Sequence, residues 1–485
     1  MSVGAAPASP IDTEICVLGA GPAGALCARR LGELGHRVLL VERHPFPRPH
    51  IGEALTPAVW PLLDSLGLLP AVRGAGFLTP TWSSVRWADE QVRRVRLPAG
   101  TCGLTVCRGR FDQLLLDTAR AAGVTVLQPA RAHRPDRRAE GWEVPVTTPD
   151  GARLLRARFL VDATGRSRIL GGRVTRTGPR TVALYAAWQV ETRPSPPTCL
   201  EAGPHGWLWG TPLPNGTYRA MAFTDPEQLH RSGVRRSSLA GFLRSLLGGS
   251  ELLRGLAGER PASAVAVCDA TGYHDLDPVA EDRISLGEAA FALDPLSSSG
   301  VDKALQTAMA GAVTVHTLLD PGGDRKAALA YYRDSQLSSV EQHARWTGGH
   351  YAEHLPHRGN SFWRRRARPL PAPGPAASPA PSPSPRTSLA ALMHRRVRLA
   401  PAGRLTSTPC VVGDQVALRP ALTHPALPRP VAYLGGHALA PLAEALRGEH
   451  TLAEALRAWG RTLPAEQALA VAAWLYERDL LVLQP

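Results

Sequence analysis

Residues 13–42 read TEICVLGAGPAGALCARRLGELGHRVLLVE. Ile15–Leu18 is a short apolar run suited to a buried strand, and Gly19, Gly21 and Gly24 follow it as G-x-G-x-x-G. A helical pattern follows from Ala23, after Pro22, to about Gly35, and a second apolar run, Val38–Val41, ends in Glu42. Strand, glycine turn, helix, strand and terminal acid within about 30 residues make a βαβ nucleotide-binding unit. Gly19 allows the tight turn, Gly21 lets the backbone approach a pyrophosphate, and Gly24 lets the helix pack close to the sheet. Free N–H groups at the helix start face the phosphates, and Glu42 can accept hydrogen bonds from a ribose. The motif alone fits FAD and NAD equally.

The chain has 485 residues, enough for two or three domains, and its 44% hydrophobic content is ample for a core. Its formal charge is +14, but the only lysines are Lys303 and Lys326. The excess of arginine therefore reads as codon bias and a solvated basic surface, with an acidic partner as the alternative. No basic run is interleaved with aromatics, which argues against a nucleic-acid partner. Seven scattered cysteines (16, 27, 102, 107, 199, 268 and 410) show no metal spacing and read as free thiols of a reducing cytoplasm. Residues 1–12 lack the charged start and apolar stretch of a signal peptide, and no run is long enough to span a bilayer.

Arg43 and Arg48 sit where a loop leaves the nucleotide strand. Leucines 62, 63, 66 and 69 recur at helical spacing, Trp82–Arg96 reads as a strand pair, and Cys107–Ala121 (CRGRFDQLLLDTARA) as an arginine-led helix. Val124–Leu127 is a strand. Trp142–Val146 and Arg153–Phe159 form a hairpin turning at Pro149-Asp150-Gly151, and FLVDATGRS ends an apolar strand at Asp162 and Gly165, suited to a further cofactor contact. Residues 182–190 and 199–223 are strand-rich, with a hairpin turn at Asn215-Gly216 and with Trp207 and Trp209 on one strand face. Gly233–Leu256 reads as helix. After the strand Ile284–Leu286, the turn Ser297–Gly300 opens a helix at Val301, which presents its N-terminus to an anion or a carbonyl.

Residues 331–363 are helical and then irregular, and a Pro/Ala/Ser-rich linker follows the arginines at 364–368. Beyond it, Pro409–Leu418 and Pro430–Leu434 read as strands, followed by helices at 438–447, 451–460 and 465–478 and a returning strand at 479–483. Thr451 and Glu454 make a capping box. The predicted organisation is a nucleotide-binding module at 13–345 with insertions at about 80–100 and 180–270, the parts that the resemblance below assigns to FAD and to substrate. A tail and linker follow at 346–388, then a small winged-helix-like α+β domain at 389–485.

These pieces resemble the superfamily of FAD-dependent monooxygenases and halogenases that holds p-hydroxybenzoate hydroxylase and the tryptophan halogenases. The motifs that carry the resemblance are GAGPAG at 19–24, Glu42, the IGEAL region after Arg48, CRGRFD, DATG at 162–165 and GEAAFALDPLSSSG at 287–300, where relatives usually read GDAA. The resemblance implies an α/β fold, a Rossmann-like FAD domain with an inserted β-sheet substrate domain. It implies that Gly19, Gly21, Gly24 and Glu42 hold the ADP half and that Arg108 meets the cofactor's linker. Asp294 would bind the ribityl or pyrophosphate part, and Ser299, Gly300 and Val301 would face the isoalloxazine. No second G-x-G-x-x-G exists for NAD(P)H, as in relatives reduced transiently by NAD(P)H or by a separate flavin reductase.

GWLWGTP at 206–212 looks like the halogenase W-x-W-x-I-P motif with Thr211 in place of isoleucine. Halogenases also need a lysine near the substrate, where Trp82 falls in this chain. That argues against halogenation and makes Trp82, Trp207, Trp209 and Glu53 the substrate-pocket candidates; core packing explains the two strand tryptophans equally well. The C-terminal pattern is similar to winged-helix domains that grip leader peptides during ribosomal-peptide modification. The leading expectation is a monooxygenase of the type that matures quinohemoprotein amine dehydrogenase, hydroxylating a peptide-borne tryptophan through a flavin C4a-hydroperoxide. The alternatives are a halogenase of a small or carrier-bound aromatic, a non-catalytic FAD-fold maturation protein, and a geranylgeranyl-reductase-like saturase. No catalytic base is identified; Glu53, His50 and His274 are candidates by location, and each reads as well as an ordinary hydrogen-bonded residue.

Overall fold

The structure, a computed structural model, describes residues 10–98, 101–190, 197–233, 235–368, 392–427, 429–448 and 450–484. The Pro/Ala/Ser-rich linker stretch lies outside the described residues. The chain forms two compact units, Met1–His316 with Tyr332–Leu370, and Thr317–Tyr331 with Pro371–Pro485.

The first unit begins with β1 (Ile11–Leu18), α1 (Pro22–Glu33) and β2 (Val38–Val41). A two-stranded arm, β3 (Trp82–Arg86) and β4 (Arg93–Arg96), leads to α2 (Arg108–Ala121), β5 (Thr125–Leu127) and the hairpin β6 (Gly141–Thr148) and β7 (Gly151–Asp162). Strands β8 (Val182–Gln189), β9 (Thr198–Gly203), β10 (Gly206–Pro212) and β11 (Thr217–Thr224) precede α3 (Leu239–Gly248) and β12 (Ala266–Asp269). The chain returns through β13 (Arg283–Ser285), α4 (Gly300–Leu319), α5 (Arg325–Glu353) and α6 (Ser361–Arg366). The helix read over 233–256 is confined to α3, because the Gly248-Gly249 pair ends it.

Five parallel strands run in the order β5–β2–β1–β7–β13, with β6 antiparallel to β7. Strands covered on both faces read as continuous apolar runs, and Ile15, Cys16, Val17 and Leu18 are fully buried. Register sets Leu18 beside Asp162, so the glycine turn after β1 and the DATG turn after β7 leave the sheet side by side.

The inserted sheet has seven strands, β12–β8–β11–β10–β9–β3–β4. Its one parallel pairing, β3 with β9, brings residues 82–86 against residues 198–203. One face packs Leu184, Trp188 and Tyr218 against Leu243 and Leu247 of α3. The other carries Trp207, Met221 and Phe223 against Trp87, Tyr351, Phe362 and Trp363, with Ile51, Tyr185, Leu200, Trp209 and Leu296 half-buried at its margin.

In the second unit, β14 (Arg396–Leu399) starts a run with the hairpin β15 (Arg404–Val412) and β16 (Gln415–Thr423). Helices α7 (Leu439–Glu444), α8 (Leu452–Trp459) and α9 (Ala465–Glu477) precede β17 (Leu481–Leu483). The returning strand β17 pairs with β14, and His450–Thr451 pairs with its other edge. The single strand read at 409–418 is two strands, because Gly413 adopts a left-handed φ of 60° and turns the chain. The capping box holds: Thr451 Oγ1 accepts from the Glu454 N–H, and Glu454 accepts from the Thr451 N–H at 2.8 Å. Val397, Leu439, Leu452, Trp459, Val471 and Leu475 form this unit's core.

Candidate active site

The glycine turn has the tightness that the motif requires. Gly19 has φ +98°, and a Cβ there would lie 2.5 Å from the Ala163 carbonyl oxygen. A Cβ on Gly24 would lie 1.9 Å from the Gly19 oxygen. Gly21 differs: the nearest atom to a Cβ there is Arg48 Nη2, at 3.8 Å. Pro22 and Ala23 form the buried first turn of α1. Glu42 is buried at the end of β2, where its Oε2 accepts from the Ala20 N–H (2.8 Å) and its Oε1 from the His44 N–H (2.9 Å). Arg43 is exposed on the loop that follows.

Arg48 and Arg108 converge on one buried carboxylate. Arg108 bonds Asp112 in a bidentate pair (3.0 and 3.2 Å) and donates to the Ile51 carbonyl at 2.7 Å. Arg48 Nη2 is 3.3 Å from the same Asp112, and burial lowers the Arg48 pKa. Two guanidiniums share one carboxylate, which leaves a surplus positive charge beside open Gly21. Arg48 Nε is buried without a hydrogen-bond partner among the described residues. An unspent donor next to the one open glycine of the loop is what a dinucleotide phosphate would fill. The residues present therefore fit an FAD.

Asp162 is committed to its own turn. It accepts from the Thr164 N–H and hydroxyl and from the Leu170 N–H, and burial raises its pKa. The 294–301 turn has a comparable internal lock. Asp294 caps it by accepting from the Leu296 N–H (3.0 Å), and Ser299 Oγ donates to the Ser297 carbonyl. The Asp294 carboxylate also receives the Tyr351 hydroxyl at 3.0 and 3.2 Å, and Tyr351 receives Trp207 Nε1–H at 3.1 Å. Burial raises the pKa of Asp294, while the Leu296 N–H and the Tyr351 hydroxyl oppose the shift. Asp294 thus points its charge into the aromatic cluster. The backbone that approaches the glycine turn from this side is Gly287, where a Cβ would lie 3.0 Å from the Ala23 Cβ, and the next residue, Glu288, is exposed. Glu288 pairs with Arg166 of the DATGR turn at 3.2 Å.

Gly300 has open space around it, and Val301 lies 4.0 Å from a Cβ built on Gly52. The next residue, Asp302, is only 2% exposed. Its Oδ2 accepts from the Thr56 N–H (3.3 Å) and hydroxyl, whereas its Oδ1 has no hydrogen-bond partner among the described residues, and burial raises its pKa. Glu53, 3% exposed, pairs with Arg219 of β11 at 2.9 Å and ties residues 51–56 to the inserted sheet. Arg219 stacks over Tyr185, whose pKa burial raises.

Of the pocket candidates, Glu53 is tied to the inserted sheet through Arg219, and Trp209 is half-buried on that sheet's aromatic face. Trp207 is packed in the core, stacked on Phe223 at 3.8 Å. Trp82 stands apart, 48% exposed at the start of β3. His50 Nδ1 bonds the Ile51 carbonyl at 2.7 Å, and His274 lies in the short strand Tyr273–Asp275. Sequence reading missed Asp112, Glu288, Asp302 and Tyr351. A signal existed for three of them: Asp112 and Asp302 are acids in helices already singled out, and Glu288 is the acid of GEAA itself.

The FAD binding domain family matches residues 12–211. A tryptophan 2-halogenase of Chondromyces crocatus is 28% identical over 356 residues, covering 67% of this chain and 65% of that enzyme. The flavin-dependent halogenase armH4 of Armillaria mellea is 27% identical, covering 67% of this chain and 70% of its own. The solved structure described as peptidyl tryptophan dihydroxylase QhpG, essential for tryptophylquinone cofactor biogenesis, superposes with a TM-score of 0.74 at 28% identity. It covers 97% of this chain and 100% of that one. The chain carries an FAD binding domain and is similar over most of its length to the FAD-dependent monooxygenase and halogenase superfamily. Members of this superfamily are oxidoreductases, and the glycine turn, Glu42 and the Arg48–Arg108 pair lie in the part that matches its FAD domain. CmlS, a flavin-dependent halogenase, shares the fold with a TM-score of 0.76 at 21% identity. Among the described residues, no helix is long and apolar enough to cross a membrane.

Proposed function

We propose that this chain is an FAD-dependent monooxygenase that hydroxylates an aromatic side chain, a tryptophan, of a peptide or protein substrate. The observation that carries the reading is the likeness to a peptidyl tryptophan dihydroxylase over 97% of this chain at 28% identity, which takes in the C-terminal unit. Bound FAD, once reduced, would supply the electrophilic oxygen from O₂. The protein's part is to bind, orient and exclude water. Arg48 and Arg108 would neutralise the pyrophosphate, and Glu42 would take the ribose. The Trp207–Tyr351–Asp294 chain holds the 294–301 turn in one shape. Tyr185, Leu200, Trp209 and Met221 offer an apolar wall for an indole, and the Tyr185 hydroxyl, whose pKa burial raises, is a donor on that wall. Reduction would come from NAD(P)H, directly or through a separate flavin reductase. Seven unpaired cysteines suit a cytoplasmic setting.

The curated halogenase relatives favour a second reading, halogenation of an aromatic. Against it stands the lack of a lysine on the sheet wall. The two lysines belong to α4 and α5, and Lys303 Nζ donates to Gln306 of its own helix at 2.9 Å. The test offers FAD-loaded protein, a flavin reductase, NADH and chloride to free tryptophan and to tryptophan-bearing peptides encoded by neighbouring genes. A mass gain of about 16 Da per oxygen on a peptide is expected. A gain of about 34 Da on free tryptophan would replace this reading with the second.

A further inference from the structure

Strand β4 closes one end of the seven-stranded sheet, and no described strand pairs with its outer side. All four of its residues are exposed, Arg93, Arg94, Val95 and Arg96. Three large exposed hydrophobics gather on the same arm: Trp82 at 48%, and Val92 and Val95 at 41% each. An edge of this kind offers unpaired backbone groups to any extended chain.

The register shows which groups are free. Leu97 N–H donates to the Thr81 carbonyl, and Trp82 stands opposite Arg96, Ser83 opposite Val95 and Ser84 opposite Arg94. Hydrogen-bonded and non-bonded pairs alternate along an antiparallel ladder. Val95 and Arg93 therefore turn their backbone groups toward β3, while Arg94 and Arg96 turn theirs outward. Side chains alternate with the same period, so Arg94, Arg96 and Trp82 share one face, and Arg96 stacks over the Trp82 ring at 5.7 Å. Arg93 pairs with Asp89, but neither Arg94 nor Arg96 has a carboxylate partner among the described residues.

We propose that the β4 edge is a docking site for an extended acidic peptide segment of a protein partner. The segment would add a strand through the outward backbone groups of Arg94 and Arg96, pair the carboxylates of one face with their guanidiniums and rest the side chains of its other face beside Val95. Charge selects this occupant. A second copy paired at the same edge would set arginine against arginine, which is destabilising. A nucleic acid would meet the charge but not the backbone donors and acceptors. The proposal does not depend on the reaction assigned above, because binding is read without turnover.

The test is fluorescence anisotropy of the full-length protein with a labelled eight-residue peptide of alternating glutamate and threonine. Controls are the lysine–threonine counterpart, the same acidic peptide N-methylated on alternate residues, and a dT oligonucleotide as competitor. Binding of the acidic peptide is expected, weakened about tenfold or more by Arg94→Glu with Arg96→Glu and by N-methylation. Arg94→Pro removes an outward N–H that β3 does not use, and it should weaken binding further than Arg94→Gln. The proposal is overturned if the acidic peptide does not bind, if the lysine peptide binds equally, or if the oligonucleotide displaces it as well as unlabelled peptide does. N-methylation without effect would also overturn it, and that arm needs no protein variant to fold.

Discussion

Three groups in series, the Trp207 indole, the Tyr351 hydroxyl and the Asp294 carboxylate, fix a turn that none of them could fix alone. Tyr351→Phe leaves a buried carboxylate with only its Leu296 N–H donor and an indole N–H without its acceptor. Such losses cost about 1–3 kcal/mol, which urea unfolding of the holoprotein would measure. The effect has a pH sign. Burial already holds the folded pKa of Asp294 above its unfolded value, and the Tyr351 hydrogen bond favours the charged form. Removing that bond raises the folded pKa further. A group with a raised folded pKa loses stability as pH rises through it, so the deficit of the variant should grow as pH rises above the ordinary carboxylate range. A deficit that is flat with pH would mean that Asp294 is not the group affected. Gly24→Ala acts on the cofactor, because its Cβ would collide with the Gly19 carbonyl oxygen. FAD titrated into the apoprotein should bind at least about tenfold more weakly, with the circular dichroism spectrum unchanged.

At the scale of elements, the Glu53–Arg219 pair fastens the loop after Arg48 to β11. Breaking a buried pair on one side strands the other charge, so Glu53→Gln should cost about 3–5 kcal/mol in chemical denaturation. Glu53→Met with Arg219→Met should recover most of that loss. In the second unit, Thr451→Ala removes the cap of α8 and should cost about 1 kcal/mol. The elements that sequence made legible are those whose causes are local. The β1–α1–β2 unit, the Asn215-Gly216 turn and the Thr451 box each rest on residues within a few positions of one another. The parallel pairing of β3 with β9 does not, since more than a hundred residues separate the strands. The β15–β16 turn was hidden for another reason: Gly413-Asp414 interrupts an apolar run too briefly to read as a boundary. At the site, Asp294 was visible as an acid at a turn, but its direction is set by Tyr351, far along the chain in α5. Trp82 was read into a pocket because the expected lysine position was carried over, and the strand it begins lies next to the edge of the sheet.

For the whole molecule, fold and cofactor class rest on dispersed motifs that converge in space, whereas the substrate rests on likeness to one enzyme type over nearly the full chain. The arginine-rich surface, with a net charge of +14, suits an acidic macromolecular partner better than a free amino acid. Peptide turnover should accordingly fall with ionic strength through KM more than through kcat. The central claim is that this flavoprotein puts oxygen, not halogen, on a peptide-borne ring. Its most direct test is intact-mass analysis of a tryptophan-bearing peptide after reaction with the FAD-loaded enzyme, a flavin reductase and NADH under ¹⁸O₂ with chloride present. The account predicts a gain of about 18 Da for each oxygen atom, located on a tryptophan by fragmentation and absent from free tryptophan. A chlorine isotope pattern on any product, or oxygen incorporated into free tryptophan but not into peptide, would contradict it.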